Sequence, residues 1–166
     1  GIVFINAYAN NANELAALEA VRAIWPNDCA NASSLILPEI REFERASTTA
    51  LNVCLQPVVG KYLGRLDERL GDEGFNGELL IVQSNGGVMS AETARTLPVR
   101  TALSGPAAGV IAGAYIAEAA GFPNVITCDM GGTSFDVALV SEGRGAQSLQ
   151  SSIDFGLVIR TPMIEI

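Results

Sequence analysis

The stretch from Val125 to Val140 constrains the fold more than any other part of the chain. Val125-Ile126-Thr127-Cys128 reads as a buried strand that ends on Asp129. Gly131-Gly132 then turns the chain, Thr133-Ser134 follow, and Phe135, Val137 and Leu139 alternate with Asp136, Ala138 and Val140. Two-residue alternation on either side of a glycine pair predicts a β-hairpin with an acid on each arm. Glycines at such a tip let phosphate oxygens reach backbone N–H groups with no Cβ in the way. Thr133 and Ser134 add hydroxyl donors. Asp129, with Asp136 as second choice, is placed to hold Mg²⁺ beside phosphates, usually through waters. An ordinary hairpin with a flexible tip fits the same residues. A P-loop does not, because the Gly-Lys-Ser/Thr ending is missing.

A helix is expected ahead of this hairpin, from about Pro106 to Ala120, with Ser104 as its cap and Gly121 as its end. Gly105, Gly109 and Gly113 recur every fourth residue and are followed by Ala117, which puts them in one stripe. Each glycine costs a helix roughly 1 kcal/mol against alanine. Either a second helix crosses closely there, as at a hinge, or the helix packs tightly on its own sheet.

The 166 residues suffice for one domain or a large subdomain, and 49% of them are hydrophobic against 17% charged. Net charge is −8, and no Lys/Arg-rich run interrupts it, which disfavours nucleic acid and anionic membranes as partners. Apolar runs are too short to span a bilayer. There is no histidine, so a Ser-His-Asp triad, a Cys-His pair and a His-ligated zinc are excluded within this chain. Cys29, Cys54 and Cys128 are isolated and lack metal-ligand spacing, and they read as reduced thiols of a cytoplasmic protein. Apolar segments at both ends are expected to be core elements of a longer chain, of which this is an internal fragment.

Elsewhere the pattern alternates. A strand is expected at 2–7, then a helix from Asn11 to about Trp25 with Glu14 completing a capping box. A short strand at 33–37 precedes a long helix from about Glu39 to Leu70, kinked or restarted at Pro57. A strand at 78–83, a tight loop at 84–87, a short helix from Ser90 and an extended stretch at 97–103 follow. After the hairpin come strands at roughly 144–151 and 156–160. Alternation followed by a meander suits an α/β domain with a mixed sheet and flanking helices. Three regions are expected: a strand-helix-strand unit at 1–38, a helical and strand region at 39–103, and the glycine helix, hairpin and meander at 104–166.

The order of glycine helix, buried strand and Asp-x-Gly-Gly-Thr hairpin resembles the actin, sugar-kinase and heat-shock chaperone ATPase superfamily, with its ribonuclease H-like fold. Four segments, LPEIREFERASTTALN (37–52), LLIVQSNGGVMS (79–90), LPVRTALSGPAAGV (97–110) and DMGGTSFDV (129–137), resemble the ATP-dependent hydantoinase/oxoprolinase family, A-type subunit. The resemblance implies that the hairpin is a phosphate-binding loop. It makes Asp129 and Asp136 the catalytic acids, Asp129 the metal ligand, and Gly131, Gly132, Thr133 and Ser134 the nucleotide contacts. ATP and Mg²⁺ are the implied cofactors. It further implies that the glycine helix crosses a second connecting helix beyond Ile166. Phe135 departs from the family, which usually has threonine there; that puts any substrate contact from the missing hydroxyl in doubt.

Opening of a cyclic amide such as a hydantoin or oxoproline, through phosphorylation of the amide oxygen, is the implied reaction. A second large subunit or domain is implied as partner. Related enzymes carboxylate ketones, and that alternative stays open. So do a chaperone-like or regulatory ATPase, against which the segments at 43–49 and 83–87 argue, and a purely structural subdomain. Neither a first phosphate loop nor an adenosine-binding segment is found in the chain, so the fragment alone is expected to be inactive and to bind nucleotide poorly. Ser84 and Asn85 suit either a ligand contact or a turn needing Asn-Gly. Arg45, beside Ser47, Thr48 and Thr49, suits either an anionic ligand or an interface.

Overall fold

Helix α3 (Glu42–Asp72) is the spine on which the first hundred residues are hung in the computed structural model, which describes residues 1–152 and 156–166. Its buried residues are mostly polar: Arg45, Ser47, Thr48, Thr49, Asn52 and Gln56, with Leu63 further on. Buried polar atoms need partners, and Ser47, Thr48, Asn52 and Gln56 find them in neighbouring backbone, whereas Thr49 Oγ1 and the Nε and Nη1 of Arg45 have none among the described residues. Asn52 accepts from Val99 N–H at 3.2 Å and donates to Thr96 C=O at 3.0 Å, which Gln56 also reaches. Ser47 and Thr48 accept from the N–H groups of Val158 and Arg160. Arg45 donates to Phe4 C=O from a fully buried position. The family-like serine-threonine run is therefore a seam that pins chain segments to α3. The helix continues through Pro57 as one element, so of the expected kink or restart there is no restart.

Helix α1 (Ala12–Arg22) stops short of Trp25 and buries Leu18, while Ile24 lies exposed beyond its end. Asn11 makes no capping bond, and Glu14 has a different role from the capping box expected for it. Its carboxylate accepts Phe4 N–H at 2.8 Å, Ser33 Oγ–H at 2.6 Å and Ser34 N–H at 2.9 Å. Those bonds turn the expected strand at 33–37 into a single helical turn, α2 (Ser33–Ile36), because the acid receives the Ser34 N–H and the Ser33 hydroxyl at its start. The expected strand at 2–7 shrinks to one parallel bridge between Ile2 and Ala32, since Asn6 (φ 58°) turns the chain away.

Strands β1 (Leu80–Val82) and β2 (Val88–Ser90) form an antiparallel hairpin. The short helix expected from Ser90 is α4 (Ala91–Thr96), and Ser90 caps it by accepting Thr93 N–H. Residues Pro98–Thr101 form a 3₁₀ turn where an extended stretch was expected, with Pro98 at its first position and Asn52 holding Val99 N–H. Helix α5 (Ser104–Ala119) follows. Ser104 is inside it and does not cap it; Leu103, in the left-handed region at φ 57°, precedes it and its carbonyl accepts Ala107 N–H.

Strands β3 (Val125–Met130), β4 (Phe135–Ser141) and β5 (Arg144–Gly145) make an antiparallel sheet under α5. The expected strand at 144–151 is broken into pieces: β5, β6 (Gln147–Ser148) and β7 (Ser151–Ser152). β6 pairs with β9 (Met163–Ile164) and β7 with β8 (Val158–Ile159), so each piece serves a different ladder. Together these are an open, mixed α/β arrangement flanked by helices. Among the described residues the buried apolar side chains form four small clusters rather than one core. The cluster under α5 joins Ala107, Val110 and Ala114 to Ala138, Val140 and Ile164, and it fixes the hairpin against the helix. No helix of the described residues is long and apolar enough to cross a membrane.

Candidate functional site: a hairpin with paired acids against a glycine helix

Register places the two acids of the hairpin directly opposite each other. Asp129 pairs with Asp136, Thr127 with Ala138 and Val125 with Val140, so these six share the sheet face turned to α5. The glycine stripe is what meets them. A Cβ at Gly113 would lie 2.8 Å from Thr127 Cγ2, and one at Gly109 would lie 3.9 Å from Asp129 Oδ2. Two members of the stripe thus serve helix-on-sheet packing within this chain. The helix-on-sheet alternative is what these positions show within the chain. Only at Gly105 does the added atom meet nothing.

Between α5 and β3 runs a groove of about 480 Å³, lined by Pro106, Gly109, Gly113, Thr127 and both acids. Neither acid is in any ion pair among the described residues. Ser134 Oγ donates to Asp136 Oδ2 at 3.3 Å. Like charges directly opposite on adjacent strands repel, and with no protein cation beside them the pair suits a bound divalent cation. Mg²⁺ is characteristically held by one or two carboxylates with phosphate oxygens and waters completing its shell, so the residues present fit that ion.

At the tip, Gly131 N–H bonds to Ser134 C=O at 3.1 Å and closes the turn, whereas Gly132 N–H and Thr133 N–H have no acceptor among the described residues. Neither Gly131 nor Gly132 has a positive φ. The turn conformation therefore does not demand glycine; what two glycines supply is bare space. A Cβ at Gly132 would meet nothing within 4 Å. Phe135, across from Met130, points to the opposite face with Val137 and Leu139, away from both acids.

The loop at 83–87 resolves as turn chemistry around a buried anchor. Ser84 Oγ donates to Arg100 C=O at 2.7 Å and also to Ala102 C=O. Asn85 Oδ1 accepts Gly87 N–H at 2.8 Å, and Gly86 takes φ +82°. Sequence reasoning passed over Arg100 and Arg160, which line a separate cleft beside this loop; their only signal was being arginines in an acidic chain.

The model of the hydantoinase/oxoprolinase family matches residues 45–166, which include α3, the loop at 83–87, α5 and the hairpin. The chain belongs to that family. It is 38% identical over 99% of its length to the caprolactamase subunit alpha of Pseudomonas jessenii, covering 24% of that protein. The solved ATP-dependent caprolactamase from the same organism superposes with a TM-score of 0.82 at 37% identity, over 99% of this chain and 24% of that one. Nucleotide-free acetone carboxylase, from a study of ATP-dependent acetone carboxylation, also gives 0.82, at 27% identity over 99% of this chain and 23% of that one. The chain thus has the actin-like ATPase architecture of these enzymes and spans about a quarter of their length.

Proposed function

We propose that this chain is the phosphate-handling part of an ATP-dependent enzyme that opens a cyclic amide. The observation that carries the reading is the Asp129–Asp136 pair, in no ion pair among the described residues, facing a glycine-lined groove beside an open Gly131-Gly132-Thr133-Ser134 tip. Backbone N–H groups of the tip and the Thr133 and Ser134 hydroxyls hold phosphate oxygens. Asp129, seconded by Asp136, would hold Mg²⁺, and the ion would supply positive charge against the phosphates. The amide oxygen attacks that phosphorus, forming the new P–O bond as the bond to ADP breaks. Water then adds to the activated ring carbon. The ring C–N bond cleaves to release the amine and leave an acyl phosphate; a second water attacks its carbonyl carbon, and phosphate departs with the former amide oxygen, leaving a carboxylate.

The rest of the nucleotide site, and a second subunit that joins in the reaction, are supplied outside these residues. Likeness to acetone carboxylase favours a second reading, in which the phosphorylated species is carboxylated instead. The test is ATP turnover by the full-length enzyme with cyclic amides in one arm and ketones plus bicarbonate in the other. Phosphate release coupled to ring opening supports the first reading and coupling to carboxylation the second. Substrate-independent ATP hydrolysis in both arms refutes the two together.

A further inference from the structure

A second cleft, of about 330 Å³, opens between the hairpin tip of β1 and β2, the 3₁₀ turn and the segment after β8. Leu37, Val99 and Leu149 supply apolar wall, and the polar lining includes Glu39, Asn85, Arg100 and Arg160, with Gln83 and Thr161 beside them. The polar groups are unequally satisfied. Arg160 donates its Nε to the Glu39 carboxylate and its Nη1 to Gln150 Oε1 at 3.4 Å. Arg100 is partly buried, and its guanidinium has no hydrogen-bond or ion-pair acceptor among the described residues. Asn85 spends its Oδ1 on Gly87 N–H and leaves its Nδ2 without an acceptor there. Two guanidiniums thus face one carboxylate, and one positive charge is left over in a chain whose net charge is −8.

We infer that this cleft binds a small organic monocarboxylate. Its carboxylate is received by Arg100 and Asn85, and its hydrocarbon body lies on Leu37, Val99 and Leu149. One unspent guanidinium matches one carboxylate, and the planar fork of arginine suits that group bidentately. A polyphosphate would bring several charges against a site with a single surplus cation and with Glu39 at its rim. The volume fits a small-molecule site, and apolar and polar side chains share the lining, which suits a ligand with a hydrocarbon body and one charged end. The inference deepens the proposed function, on which it rests only for the acid's identity as the substrate or product of that reaction. Ring opening of an amide and carboxylation of a ketone both generate a carboxylate.

Calorimetric titration of the full-length enzyme without ATP tests the cleft separately from turnover. The probes are 5-oxoproline, a cyclic amide with one carboxylate; 2-pyrrolidinone, the same ring without it; and inorganic phosphate. The expected result is binding of 5-oxoproline in preference to both others. Arg100→Met should weaken it about 10- to 100-fold, and Glu39→Gln, which releases Arg160, should tighten it several-fold. Asp129→Asn should leave it unchanged while abolishing ATP turnover. Equal binding of 5-oxoproline and 2-pyrrolidinone, a preference for phosphate, no binding of 5-oxoproline, or no tightening by Glu39→Gln each overturns the assignment. Failure of ATP turnover with binding intact instead overturns the proposed reaction and leaves the cleft standing.

Discussion

Replacing Gly113 by alanine sets helix propensity against packing, and Gly60 provides the control. Both are interior helix glycines, in α5 and α3, and each would gain roughly 1 kcal/mol of helix propensity from a methyl group. At Gly60 the new Cβ meets nothing within 4 Å, so the gain should appear in full. For a chain of this length that is a rise in Tm of about 2–4 °C. At Gly113 the same atom would lie 2.8 Å from Thr127 Cγ2, well inside van der Waals contact. Overpacking of this kind costs about 1–3 kcal/mol, so Gly113→Ala should be neutral to destabilising by about 2 kcal/mol. Rotation of Thr127 would relieve it in part, at the expense of the weak 3.4 Å contact from Thr127 Oγ1 to Ala138 C=O. Thr127→Ala should therefore restore much of the loss, a coupling of about 1 kcal/mol or more in a double-mutant cycle. The assay is urea unfolding of the four proteins beside Gly60→Ala. If Gly113→Ala stabilises as much as Gly60→Ala, the stripe does not pack on β3 and the helix-on-sheet account of the groove fails.

Three further outcomes follow from the same structure. Burial raises the pKa of Glu14, but the bonds from Ser33, Phe4 and Ser34 outweigh it and hold the carboxyl below its ordinary value. Its stabilisation is thus complete above the unfolded-state pKa and disappears as pH falls through the folded one. Ser33→Ala should cost about 1.5–3 kcal/mol at neutral pH, with the gap closing in acid; a gap independent of pH in urea melts would show that Glu14 is not the linked group. The sheet face opposite the acids exposes Ile126 (63%), Met130 (79%), Phe135 (57%) and Leu139 (62%). Leu139→Lys should reduce self-association of the 166-residue chain in sedimentation experiments without lowering its Tm, and unchanged association would show that this face is not the sticky one. The chain alone should bind Mg-ATP weakly in calorimetry, whereas micromolar affinity would mean these residues hold more of the nucleotide site than the hairpin.

Legibility in the sequence tracked how locally each element is determined. The β3–β4 hairpin was readable because alternation and a glycine pair are local signals, and its register then brought Asp129 and Asp136 together. Although its cap was not assigned, the short helix from Ser90 was readable too. Elements decided by distant partners were not. The stretch at 33–37 is a helical turn because Glu14, nineteen residues from Ser33, receives its donors. The stretch at 97–103 coils because Asn52, forty-seven residues from Val99, holds its N–H. The glycine stripe was visible, but its neighbour was not: spacing fixes a face, and only the fold says whether a helix or a strand lies against it. Arg100 gave no pattern of its own, since its distinction, a guanidinium without a partner among the described residues, exists only in three dimensions.

Asp129→Asn in the full-length enzyme tests the central claim most directly, with Mg-ATP turnover and a thermal melt taken on the same preparations. Removing one charge from the facing Asp129–Asp136 pair relieves repulsion across the strands, worth up to about 1 kcal/mol. The fold should therefore be as stable as wild type or slightly more so. Loss of the metal-directed carboxylate should at the same time lower phosphate release by about a hundredfold or more. Turnover near the wild-type rate, in a protein that melts normally, would contradict the assignment of this hairpin to phosphate and metal.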